Sequence, residues 1–127
     1  MESVQRSFTH RLCKRGNIKY NSYNDRLKIL KLETLKSRRT KFDLIMLYKI
    51  INKIVDVDFD KMFELSSLGG YALRRHSLHL NRVSSQSECH KNFFSNRVIG
   101  DWNALPENVV TSPTLSIFKR KLSLLNF

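Results

Sequence analysis

Residues 34–54, TLKSRRTKFDLIMLYKIINKI, decide the fold. Twenty-one residues pass without Gly or Pro. Leu35, Phe42, Ile45, Met46, Ile50 and Ile54 recur at helical spacing, and Leu47 and Ile51 broaden the stripe. So wide an apolar arc predicts a helix buried on more than one side. Lys36, Arg38, Arg39, Lys41, Lys49 and Lys53 lie in the same stretch, so the longest helix is also strongly basic.

Upstream, Val4, Phe8 and Leu12 follow at i, i+4 and i+8, which predicts a helix with one apolar face. Gly16-Asn17 ends it. Ser22 then offers an N-cap, with Asp25 three residues on as a weak capping box. Leu27, Ile29 and Leu30 supply the apolar side of a short helix.

Downstream, Val55-Asp56-Val57-Asp58 breaks the pattern, and Asp58 is placed to cap one turn holding Phe59, Met62, Phe63 and Leu65. Gly69-Gly70 marks a turn. Leu78 and Leu80 alternate with polar neighbours, so residues 71–83 read as a short extended or β-hairpin insertion. Phe94, Val98, Trp102 and Leu105 give another helical face, which Pro106 ends, and Trp102 is a core residue. Ser112-Pro113 reads as a helix start, ahead of Leu115, Phe118, Leu122 and Leu125. The expected architecture is a mainly α domain of about five helices.

Length and composition fit that expectation. The chain has 127 residues, of which 40 are Leu, Ile, Val or Phe, enough for a real core. One domain is expected over 1–127: a basic helical half (1–54), an acidic hinge and turn (55–70), and an extended segment with two C-terminal helices (71–127). No apolar run reaches the ~20 residues of a membrane span, and the polar opening MESVQRSFTHRLCKRG is unlike a signal peptide. We therefore expect an intracellular chain, nuclear or cytoplasmic, without membrane contact.

Charge is uneven. The formal net charge is +12. Residues 1–54 carry 14 Lys/Arg against four acids; residues 55–65 carry Lys61 against Asp56, Asp58, Asp60 and Glu64. A concentrated basic half attracts polyanions. Arg6, Arg11, Lys14, Arg15, Arg38, Arg39, Lys41, Arg74 and Arg75 have no matching acids nearby in sequence and are the candidate nucleic-acid contacts. Tyr20, Tyr23 and Tyr71 lie beside basic residues, where a base-stacking role competes with an ordinary place at the core edge.

Catalytic and metal constellations are incomplete. The alternating Asp56, Asp58 and Asp60 invite a calcium loop, but its sixth and twelfth positions hold Lys61 and Ser67. His76 with His79, and His10 with Cys13, have zinc-compatible spacing without a full ligand set. Cys89 has only His90 beside it as a base, and Gly69-Gly70 lacks the Lys and Ser/Thr of a phosphate loop. No cofactor, metal, small-molecule substrate or enzymatic activity is expected.

Three blocks carry a resemblance: VQRSFTHRL (4–12), SYNDRLKILKLETLKSRRTKFDLIMLYKIIN (22–52) and HKNFFSNRVIGDWNALPENVVTSPTLSIFKRKL (90–122). Their order and spacing resemble the C-terminal region of reverse transcriptases from non-LTR, jockey-like (LINE-type) retrotransposons. FFSNRVIGDWNALPENVV followed by SIFKRKL is the most specific part. The resemblance implies a polymerase tail, here a fragment or remnant, lying near RNA or DNA and touching a reverse transcriptase body. The parent's palm carries an aspartate pair, and no Asp-Asp occurs in this sequence. Its polymerase activity is therefore not transferred. The alternatives are a helical protein-interaction module, docking on a polymerase body or on itself, and a remnant without function. Exposure of Phe42, Met46 and Ile50 would favour the interaction module.

Overall fold

A computed structural model describes residues 2–66, 76–82 and 93–125. The protein is mainly α, with six helices and no strand among the described residues. They are α1 (Glu2–Arg15), α2 (Tyr23–Ile29), α3 (Leu35–Ile51), α4 (Phe94–Asn103), α5 (Glu107–Val110) and α6 (Leu115–Ser123), with a 3-10 turn at Phe59–Lys61. The chain divides into two compact units, one up to Arg39 and one from Thr40 onward, so the division falls inside α3. The charge pattern, by contrast, changes at residue 54.

In the first unit, α1 buries Thr9 and Cys13. Thr9 is accommodated because its hydroxyl donates to Gln5 O at 2.7 Å within the same helix. The apolar Val4/Phe8/Leu12 face lies outside: Val4 is 71%, Phe8 63% and Leu12 43% exposed. The inward side is set by polar ties. Tyr23 Oη donates to Glu2 Oε1 at 2.7 Å, Gln5 Nε2 donates to Glu33 O at 2.8 Å, and Arg26 Nη2 donates to Arg6 O at 3.4 Å. Glu2, Gln5, Arg6, Thr9 and Cys13 lie on one side of the helix, and Val4 and Phe8 fall on the other.

Helix ends follow one rule. Ser22 caps α2 by accepting from Asp25 N at 3.2 Å, as its sequence suggested. Beyond α1, Ile18 N bonds Cys13 O and Asn17 N bonds Lys14 O, with Asn17 at φ 52°. Leu32 to Leu27 with Lys31 at φ 53°, and Ile54 to Lys49 with Lys53 at φ 53°, repeat the geometry after α2 and α3. Each is a Schellman stop with a non-glycine in the left-handed position. The α3 helix therefore ends before Ile54, which is exposed.

The second unit holds the main core: Leu44, Leu47, Tyr48 and Ile50 from α3, Phe63, Leu80, Val98, Ile99 and Trp102 from α4, and Leu105, Val109, Val110, Phe118 and Leu122. Burial takes Leu47 and Ile50 from the expected stripe and adds Leu44 and Tyr48, while Phe42 (62%) and Met46 (44%) stay exposed. Trp102 is fully buried, and its indole donates to Leu78 O at 2.9 Å. His76 Nε2 lies 3.0 Å from Trp102 O.

Three further expectations change. Residues 76–82 form no strand; Leu80 makes one antiparallel bridge with Leu65. Asn103 occupies Leu80's other backbone groups, accepting from its N–H at 2.9 Å and donating to its C=O at 2.8 Å. The rest of the expected insertion, 71–75 and 83, lies outside the described residues. Ser112 does not start a helix: its hydroxyl donates to Val109 O at 2.7 Å, and Thr114 caps α6 by accepting from Ile117 N at 3.3 Å. Asp58 stands at the N-cap position of the 3-10 turn but pairs with Lys61 at 2.9 Å rather than with backbone.

Candidate nucleic-acid interface

The first unit concentrates the cations. Up to Arg39 the chain has eleven Lys/Arg against Glu2, Asp25 and Glu33. Arg11, Lys14 and Arg15 sit at i, i+3 and i+4 on the last turns of α1 and are exposed. Arg11 is turned about 200° from Cys13, so this trio points away from the buried side. Lys14 and Arg15 also complement the negative end of the helix dipole.

Arg38 and Arg39 are exposed on the second turn of α3, whose first turn Thr34 caps by accepting from Ser37 N at 3.1 Å. None of these five makes an ion pair with a described carboxylate. Lys41 belongs to the second unit and is half-buried. Arg74, Arg75 and Tyr71 lie outside the described residues.

Arg6 is exposed, and its guanidinium stands 4.9 Å over the Tyr23 ring. Arg26 was not among the sequence candidates. It is only 9% exposed, with its guanidinium 4.5 Å from the Tyr20 ring centre and 5.4 Å from that of Tyr23. Tyr20 also hydrogen-bonds His10 Nδ1. Arginine thus occupies the tyrosine rings that a base would stack on. The available signal was spacing: Arg26 follows Tyr23 by three residues on a capped helix, and Tyr20 precedes it by six. Burial raises the Tyr23 hydroxyl above its ordinary value, and the neighbouring Glu2 adds to the shift.

Other chemistry is sparse. Among the described residues no group of three His, Cys, Asp or Glu is placed to hold a metal. No described helix is long and apolar enough to cross a membrane. Searches of protein-family models, curated proteins and solved structures return no match.

Proposed function

We propose that the protein binds RNA or DNA through backbone phosphates, without catalysis, as the C-terminal region of a non-LTR retrotransposon reverse transcriptase. One observation carries the binding part. Arg11, Lys14, Arg15, Arg38 and Arg39 are solvent-exposed and unmatched by any described carboxylate, in a unit with eleven cations against three acids. Cations of this kind release counterions from a polyanion and read no base. The parentage rests on the resemblance of residues 4–12, 22–52 and 90–122. Fluorescence titration of labelled RNA and duplex DNA tests the binding, with affinities compared between unrelated sequences; similar affinities support the reading, and absence of binding at low salt overturns it.

A second reading, a helical protein-interaction module, is favoured by the exposure of Phe42 and Met46. With Ile45, Ile50, Val57, Met62 and Phe94 they line a groove of about 520 Å³. Ile50, the third residue whose exposure would favour this reading, is buried. Sedimentation across a concentration series tests whether the chain associates with itself.

A further inference from the structure

Arg26 is a cation largely removed from water and without an ion-pair partner among the described residues. Burying a guanidinium is costly unless its donors are satisfied and its charge is balanced. Its Nε is buried and has no hydrogen-bond partner. The one hydrogen bond its guanidinium makes among the described residues, from Nη2 to Arg6 O, is long at 3.4 Å. The acids near it are engaged elsewhere. Glu2 Oε1 accepts from Tyr23 Oη at 2.7 Å and from Leu35 N at 3.4 Å, and Asp25 Oδ2 accepts from Asn21 N at 3.1 Å. No described carboxylate forms an ion pair with Arg26.

Two tyrosine rings flank the Arg26 guanidinium. Its guanidinium carbon lies within 5.4 Å of both ring centres, and the exposed Arg6 guanidinium lies over the same Tyr23 ring. Two guanidinium groups near one ring repel each other, and the Glu2 carboxylate on the Tyr23 hydroxyl offsets one of the two charges. An arginine held between two rings, with an unpaired Nε–H and a second, exposed cation beside it, has the donors that a phosphate oxygen pair takes.

We propose that Arg26, with Arg6 beside it, is an anion site that takes one phosphodiester of a bound nucleic-acid strand. The proposal rests on the nucleic-acid reading above. It adds an ordered contact to an otherwise diffuse basic surface: the exposed cations supply attraction, and Arg26 fixes where one phosphate sits.

The test uses the full chain and follows the Arg26 Nε–H resonance by NMR during two titrations. One adds a single-stranded oligodeoxynucleotide and the other adds inorganic phosphate. Anisotropy measures oligonucleotide affinity in parallel. The expected result is that the oligonucleotide shifts the Arg26 resonance. Arg26→Gln then weakens the oligonucleotide by roughly tenfold at low salt and flattens its log–log salt slope by about 0.7.

If the oligonucleotide binds while the Arg26 resonance stays still, the site is overturned and the nucleic-acid reading stands. If the oligonucleotide fails to bind but inorganic phosphate moves Arg26, the anion is free phosphate and the nucleic-acid reading falls. If neither moves it, there is no anion site. The resonance of the unaltered chain decides among these, so the result stands even if Arg26→Gln does not fold.

Discussion

The Tyr48 ring stacks on Phe118 with centroids 4.3 Å apart and planes 18° from parallel. The Tyr48 hydroxyl reaches past that stack and donates to Ser112 O at 2.6 Å. One side chain therefore joins α3 to α6 by packing and to the end of α5 by a hydrogen bond. Tyr48→Phe keeps the stack and leaves the Ser112 carbonyl unpaired, at a cost of about 1–2 kcal/mol. Phe118→Ala removes the stack and opens a cavity, at about 3–5 kcal/mol. Burial also raises the Tyr48 hydroxyl above the ordinary value of 10.0. The unfolded chain ionises first, so stability is full below pH 10 and falls as pH rises beyond it. Urea denaturation at pH 8 and at pH 10.5 checks both effects, and Tyr48→Phe should shrink the alkaline loss.

Phe8 and Leu27 distinguish the two possible faces of the first unit. Phe8 is 63% exposed, whereas Leu27 is buried. Phe8→Ser should change stability by no more than about 0.5 kcal/mol, while Leu27→Ala costs about 2–5 kcal/mol. Thermal denaturation of the two variants side by side decides it. A large loss from Phe8→Ser would place the Val4/Phe8/Leu12 face inward after all.

Lys31 and Lys53 adopt left-handed backbone at helix ends where glycine carries no Cβ penalty. Lys31→Gly and Lys53→Gly should each stabilise by a few tenths to about 1 kcal/mol, net of the glycine entropy cost. A lower melting temperature for both would contradict the Schellman assignment.

Glu107 anchors residues 76–82 to α5. Its carboxylate accepts from the Ser77 hydroxyl at 2.7 Å and from the Ser77 N–H at 2.8 Å. These bonds hold its pKa below the ordinary 4.5. The stabilisation is therefore present above about pH 4.5 and is lost as pH falls through the lowered value. Glu107→Gln should be less stable than the parent at pH 7 and should show a shallower acid limb. Equal acid limbs would remove Glu107 from the account.

Helix existence was legible where local chemistry marked a start or a stop. Ser22 with Asp25 marked the start of α2, and Gly16-Asn17 marked the end of α1. Facing was not legible, because α3 carries apolar residues nearly all round and periodicity alone cannot choose between Phe42/Met46 and Leu44/Leu47/Tyr48. On α1 the apolar stripe was real but lay outward, since polar bonds from Glu2, Gln5 and Arg6 fix the other side. Ser112-Pro113 misled because Ser112 is held by Val109 O and Tyr48, which passes the cap to Thr114. In the candidate interface, the exposed cations followed from composition. Arg26 did not, because its burial arises from tyrosines brought to it by the fold.

The central claim is phosphate contact by exposed cations, and its most direct measurement is the salt dependence of duplex DNA binding. If about 5–7 phosphates are neutralised, the log–log slope of affinity against salt is near −4 to −6. Arg38→Ala with Arg39→Ala should weaken all sequences alike and flatten the slope by roughly two units. Alanine at Lys119 and Lys121 should matter less, since Lys121 already donates to Asn108 O and both lie outside the most basic unit. Binding indifferent to salt, or an unchanged slope in the Arg38/Arg39 double variant, would contradict the account.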